Sequence, residues 1–168
     1  MTTLRPMSPE EYPRWRALSV AAYAVEKVRN GRWTEAESAA EAEKEFNALL
    51  PEGLHSEGHH LYAIVDAAGT GVGALWLARA SRADPARHPT GFIYELVVWP
   101  EHRRQGHAEA ALRALEHEVQ RLGWKGLALH VFGHNHAARA LYGKLGFEPT
   151  NLNLFKPVPP AEGAPPLP

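Results

Sequence analysis

Residues Phe92 to Ala108 read as a strand, a short basic turn with one glycine, and the start of a helix. Arg103-Arg104-Gln105-Gly106-His107-Ala108 follows a pattern of Arg or Gln, two residues, Gly, one residue, then Gly or Ala. A strand–turn–helix of this kind offers a row of backbone N–H groups and the positive end of a helix dipole to an anion. The anion it fits is a pyrophosphate. Gly106 lets the turn close and lets phosphate oxygens approach the backbone. Small Ala108 keeps the first helical turn clear, and Arg103 and Arg104 add positive charge. The alternative is an ordinary strand–turn–helix with surface arginines. Upstream, Glu95 interrupts an otherwise apolar strand. Burying a carboxylate is costly, so this one serves either as a base with a raised pKa or as a structural group bonded to a helix end or a neighbouring strand.

Several classes of chemistry fall away. Across 168 residues there is no cysteine, which excludes disulfides, thiolate metal sites and a cysteine nucleophile. A net charge of −1 with ten histidines lacks the basic excess of a general nucleic-acid binder. His130, His134 and His136 do not have the spacing of a helical metal site, and no carboxylate or thiol lies near them in sequence, so no metal is expected. Met1 to Pro6 lacks the basic and apolar regions of a signal peptide, and no apolar run reaches membrane-spanning length. The expectation is one soluble, cytoplasmic domain over residues 1–156, without membrane or nucleic-acid partners. A Pro-rich tail over 157–168 is expected to be disordered.

The elements that must position these residues can be read along the chain. Thr2 to Arg5 is a short first strand. Ser8-Pro9-Glu10-Glu11 has capping-box spacing, with Met7 and Tyr12 placed as a hydrophobic staple. It opens a helix to about Asn30, with Gly31 as its left-handed cap, although Pro13 removes a donor early. Thr34-Glu35-Ala36-Glu37 is a second capping box, opening an Ala/Glu-rich helix to about Leu50. Its Glu35, Glu37, Glu41, Glu43 and Glu45 are either a draw for a cation or a solvated face.

His60–Asp66 and Val72–Ala80 read as strands joined by a hairpin connection, and 81–90 as a loop. Phe92–Trp99 is a strand buried on both faces apart from Glu95. Ala108, Ala111, Leu112, Leu115, Val119 and Leu122 share one helical face ended by Gly123. Leu127–Phe132 is a strand. Asn135 caps a helix with Ala138, Leu141, Tyr142 and Leu145 on its apolar face and Gly146 as its stop. Phe147–Lys156 is a final strand or hairpin. This mixed order predicts an α/β fold, a three-layer α/β/α sandwich on a mixed, mostly antiparallel sheet. Trp15, Trp33 and Trp76 are too scattered to define a site.

Two motifs carry a family resemblance. The first is Leu96-Val97-Val98-Trp99-Pro100 through Ala108. The second runs from Leu129 to Phe147 and resembles V-x-x-x-N-x-x-A-x-x-L-Y-x-x-x-G-F. Together they resemble the GNAT superfamily of N-acetyltransferases. Tyr62-Ala63-Ile64-Val65 and His130 to Asn135 also resemble a bacterial branch of these enzymes, without naming a substrate.

The resemblance implies acetyl-CoA as cosubstrate and a sheet splayed by a bulge between the fourth and fifth strands. Backbone groups of Leu96, Val97 and Val98 would bond the pantetheine amides, and an N–H near Val98 would polarise the thioester carbonyl. Arg103, Arg104, Gln105, Gly106, His107 and Ala108 would hold the pyrophosphate. Tyr142 would protonate the departing thiolate, or it merely packs. Asn135 and Ala138 stand where the family contacts the cofactor, although Asn135 needs no ligand to serve as a cap. The base that takes the amine proton would be Glu95 or His130, and His130 has a core-histidine reading beside it.

The activity implied is direct acetyl transfer to a primary amine of a small molecule, peptide or protein. A catalytically silent CoA-binding regulatory module and a transferase of longer acyl groups are the alternatives. The partners implied are acetyl-CoA and an amine acceptor, with the chain as a monomer or homodimer.

Overall fold

The structure is a computed structural model that describes residues 1–80 and 89–159. The chain divides into two compact units, Met1–Phe132 and Gly133–Pro168.

The first unit contains β1 (Thr3–Pro6), α1 (Tyr12–Arg29), α2 (Glu35–Leu49), β2 (His59–Val65), β3 (Gly71–Arg79), β4 (Thr90–Val98), α3 (His107–Arg121) and β5 (Gly126–Leu129). Its strands follow the order β1-β2-β3-β4-β5. The first three pairings are antiparallel and β4–β5 is parallel. A parallel neighbour requires a crossover, and α3 provides it.

Strand periodicity divides the core into two faces. Leu61 and Trp76 are cross-strand partners. Trp76 meets Trp15 of α1 edge-on at 5.7 Å and Phe46 of α2 at 5.5 Å. Tyr62 and Leu75, the next pair along, project to the other side. There the Tyr62 hydroxyl approaches Glu118 of α3 at 3.5 Å. Helices therefore cover both faces, giving the expected three layers. Trp15, Ile64, Leu75, Leu77, Leu112 and Leu115 are fully buried between them, each contributing about 1.5–3 kcal/mol.

Local chemistry explains the element ends. Glu11 reaches back to the Ser8 N–H at 2.9 Å, the carboxylate half of a capping box. Yet α1 begins at Tyr12, later than the box suggested, because residues 9–11 form turns. Pro13 then lies in the first helical turn, where its missing donor costs nothing. Gly31 ends α1 at φ +68° as expected. Thr34 caps α2 in extended conformation, but its hydroxyl bonds the Glu37 carboxylate at 2.8 Å instead of a backbone N–H. On α2, Glu43 pairs with Arg16 at 2.8 Å and Glu41 with Lys44 at 3.5 Å, so part of the acidic face is matched locally.

In the second unit, α4 spans His136–Lys144. Asn135 Oδ1 accepts from the Ala138 N–H at 3.2 Å, and Gly146 adopts φ +83° after the helix, both as expected. The final strand or hairpin over 147–156 is not formed. Residues 147–159 carry no helix or strand, and Leu152, Leu154, Phe155 and Val158 are exposed. Pro149 and Pro157 remove ladder donors, and Asn151 and Asn153 favour turns, so the short alternation of leucines is not enough to make a strand. Of the loop expected over 81–90, residues 81–88 lie outside the described residues, and Thr90 already belongs to β4. Of the tail expected over 157–168, residues 160–168 lie outside them too.

Candidate active site

The site is built around an irregularity in β4. Trp76 pairs with Glu95, but Leu77 pairs with Ile93, so Tyr94 is an extra residue in the ladder. This β-bulge resets the side-chain alternation. Phe92, Tyr94 and Glu95 now all face the α1/α2 side. Tyr94 stacks on Trp76 at 4.6 Å and 20° and meets Phe92 edge-on at 5.0 Å, while Glu95 reaches α1.

The bulge also marks where the sheet opens. β5 pairs with β4 from Thr90 to Ile93 only. Beyond Ile93, β4 continues to Val98 with β3 on one side and no strand of the described residues on the other. Leu96, Val97 and Val98, the expected pantetheine strand, occupy this unpaired stretch. The expectation of a strand buried on both faces fails here. Tyr94 is 37% exposed and Glu95 to Val98 are half-buried, because the splay removes their neighbours on the β5 side.

Glu95 is anchored by α1. Its Oε2 accepts from Trp15 Nε1 at 2.6 Å and from Ser19 Oγ at 2.7 Å. Trp15 and Ser19 are one helical turn apart, so both present to the same point. Burial pushes the Glu95 pKa up from the ordinary carboxylate value, and the two donors pull it part of the way back. A carboxyl whose burial favours the acid form, and whose Oε1 has no hydrogen-bond partner among the described residues, is suited to accept and release a proton. Of the open alternatives for Glu95, the tether to α1 is present, made by mid-helix side chains instead of a helix end. That tether leaves a base role available.

Behind Trp76, the cross-strand partner of Glu95, stands a histidine of β2 whose ring lies near Trp76 and Tyr94. His59 Nδ1 accepts from Trp76 Nε1 at 2.9 Å. Desolvation, and then His60, lower the His59 pKa.

β4 leads into the anion turn. Pro100–His102 form one 3-10 turn, and Arg103 returns its Nε to the Val98 carbonyl at 3.1 Å. Arg104 adopts φ +63° and Gly106 φ +83°. A left-handed arginine costs about 1 kcal/mol, a strain of the kind found in ligand-binding turns. No atom lies within 4 Å of where a Cβ on Gly106 would stand, so the approach to the backbone is open. The N–H groups of Gln105, Gly106, His107 and Ala108 have no hydrogen-bond partner among the described residues. They form the start of α3. The His107 ring bonds Thr2 Oγ1 at 2.8 Å and lies 6.4 Å from His102. The turn thus has the free donors, dipole and basic side chains of an anion cradle.

His130 falls outside the strand that was expected to carry it. β5 ends at Leu129, whose partner Ile93 is the last residue before β4 turns away, so a longer β5 would have nothing to pair with. His130 is exposed, edge-on to Phe132 at 5.0 Å. It is not a core histidine. Among the described residues, no group of His, Asp or Glu gathers that could hold a metal ion, and no helix is long and apolar enough to cross a membrane.

In the second unit, Tyr142 is half-buried on α4, its ring 5.5 Å from Phe147. Burial raises its pKa, which keeps the phenol protonated. Ala138 receives the Asn135 cap and is half-buried.

Sequence reasoning missed Trp15 and Ser19 as the partners of Glu95, Tyr94 as the bulge, and the packing of Trp15 on Trp76. A tryptophan and a serine one turn apart on α1 were a weak signal for the first of these. The family resemblance implied a bulge in this strand but did not place it at Tyr94, because a nearly continuous apolar run hides its own parity.

Residues 22–147 match the acetyltransferase (GNAT) family. The chain is 36% identical over 156 residues to the uncharacterized N-acetyltransferase YdgE of Bacillus subtilis, covering 92% of this chain and 96% of that protein. The crystal structure of the uncharacterized N-acetyltransferase YycN of Bacillus subtilis superposes with a TM-score of 0.85 at 32% identity, over 95% of this chain and all of that one. A protein from Pyrococcus furiosus shares the fold at a TM-score of 0.68 and 20% identity, over 94% of this chain and 100% of that one. With its sheet splayed at the β4 bulge and a basic turn opening α3, the chain belongs to the GNAT family of acetyltransferases and is an acyltransferase enzyme.

Proposed function

We propose that this enzyme moves an acetyl group from acetyl-CoA directly to a primary amine of a small molecule, peptide or protein in the cytoplasm, as a monomer or homodimer. Residues 1–156 act as one catalytic domain. The observation that carries this reading is the continuity of the unpaired stretch Tyr94–Val98 with the turn at Arg103–Ala108. An open strand edge suits the amides of a pantetheine arm, and a turn rich in free N–H groups suits a pyrophosphate. Acetyl-CoA has those two parts in that order.

Each residue then has a task. Leu96, Val97 and Val98 hold the arm through their backbone, and an N–H near Val98 polarises the thioester carbonyl. Arg103, Arg104, Gln105, Gly106, His107 and Ala108 hold the pyrophosphate. Asn135 and Ala138 contribute the start of α4. Glu95 takes the proton from the acceptor ammonium, directly or through water, so that the neutral amine attacks the carbonyl. The C–S bond breaks as the C–N bond forms, Tyr142 protonates the departing thiolate, and the second proton lost by the nitrogen restores the phenol. Burial keeps the Tyr142 phenol protonated, so its proton is present to give, and the raised pKa of Glu95 makes its carboxylate the stronger acceptor. His130 is exposed, with its ring edge-on to Phe132, so it is the weaker candidate for the base.

The test is thiol release from acetyl-CoA, followed with a thiol-reactive dye across a panel of amines and peptides. A chain without cysteine adds no background. Release that depends on one acceptor class supports transfer and identifies the class. Acetyl-CoA binding without release from any acceptor would favour the silent module instead.

A further inference from the structure

We infer that Ser19 is a positioning residue for Glu95: with Trp15 it holds Oε2 of the carboxylate, leaving Oε1 as the oxygen that receives the acceptor's proton. This inference rests on the proposed base role of Glu95.

Both donors from α1 converge on Oε2, at 2.6 Å from Trp15 and 2.7 Å from Ser19. Oε1 has no hydrogen-bond partner among the described residues. An oxygen that already accepts two hydrogen bonds has little basicity left, whereas its unbonded twin keeps a free lone pair. The anchoring is rigid. Trp15 is 1% exposed and packs on Trp76 and Phe46, and Ser19 is 4% exposed.

The groups facing Glu95 leave α1 in control of its charge. From α1 they are Trp15 and Ser19, both neutral. From β3 the cross-strand partner is Trp76, also neutral. Behind Trp76 stands His59 of β2, which accepts from Trp76 and has a lowered pKa. Among the described residues no charged side chain acts on the carboxylate. Burial favours the protonated acid, and the two donors favour the carboxylate. Removing a donor therefore tips the balance further toward the acid. A buried serine in the middle of a helix, where it adds little to helix stability, also finds a role this way.

The experiment is a pH titration of the Glu95 carboxyl by NMR on protein carrying 13C-labelled glutamate, with the resonance assigned by its loss in Glu95→Gln. Ser19→Ala raises the midpoint by about one pH unit, the worth of one hydrogen bond to a charged group. Trp15→Phe shifts it in the same direction. In thiol release from acetyl-CoA, the acid limb of the Ser19→Ala pH profile moves up by the same amount. Raising the pH restores its turnover, and acetyl-CoA affinity is unchanged. A loss of packing alone would not be reversed by pH. A midpoint that stays in place in Ser19→Ala, or a turnover loss that is independent of pH, overturns the inference. Wild-type turnover in Glu95→Gln would instead overturn the base role itself, so the two failures read differently.

Discussion

A Cβ placed on Gly73 would stand 2.2 Å from the carbonyl oxygen of Val97 and 3.1 Å from the Cα of Val98. Both contacts are backbone, so no side-chain rotation relieves them. β3 therefore touches the Val97–Val98 end of β4, the proposed pantetheine strand, at a point where only glycine fits. Gly73→Ala should displace Val97 and Val98, destabilise the fold by about 1–3 kcal/mol, and weaken acetyl-CoA binding. Calorimetric titration with acetyl-CoA and thermal unfolding check this. Unchanged affinity would mean that β4 gives way without moving the cofactor's backbone partners.

The turn before α3 makes a second prediction. Gly106 sits at φ +83°, so Gly106→Ala costs about 1 kcal/mol of backbone strain. Because relief of that strain would rotate the free N–H groups of the turn, acetyl-CoA affinity should fall about tenfold, equivalent to about 1.4 kcal/mol. Equal affinities in wild type and variant would contradict the cradle.

For Glu95, kinetics and stability should move in opposite senses. Glu95→Gln should lower turnover about a hundredfold or more with acetyl-CoA affinity intact. Its stability follows from the raised folded pKa. A carboxyl whose pKa rises on folding supports the fold below its ordinary range, and that support is lost as the pH climbs through the folded value. Glutamine stays neutral and can still accept from Trp15 and Ser19. Thermal unfolding of Glu95→Gln should therefore match or exceed wild type at alkaline pH, with the difference vanishing in acid. A variant less stable at alkaline pH than in acid, relative to wild type, would contradict the assigned environment.

Tyr142→Phe should lower turnover about a hundredfold while leaving acetyl-CoA binding and the Phe147 contact in place. Steady-state kinetics with and without a leaving group more acidic than the CoA thiol would separate proton donation from packing. The loss should shrink with the more acidic leaving group.

Much of this site could be read in the sequence because local rules govern it. Gly106 and Gly146 were placed by the left-handed backbone their turns need, and Asn135 by its cap. The strand into the basic turn followed from the hydrophobic run and the turn chemistry. What escaped depends on tertiary pairing. The bonds from Trp15 and Ser19 to Glu95 join residues 80 and 76 positions apart. The bulge at Tyr94 shifts register against β3, and that shift in turn decides where β5 stops and leaves His130 outside it. The leucines at 152 and 154 alternate as a strand would, but alternation without a paired edge did not make one.

The most direct test of direct transfer follows the acetyl group itself. Isotope-labelled acetyl-CoA would be incubated with the protein and the amine that turns over, and both products read by mass spectrometry. The account predicts label on the amine, free CoA in equal amount, and no labelled protein at any time point in a chain that has no cysteine. Label that passes through the protein before reaching the amine, or that never leaves acetyl-CoA, would contradict it.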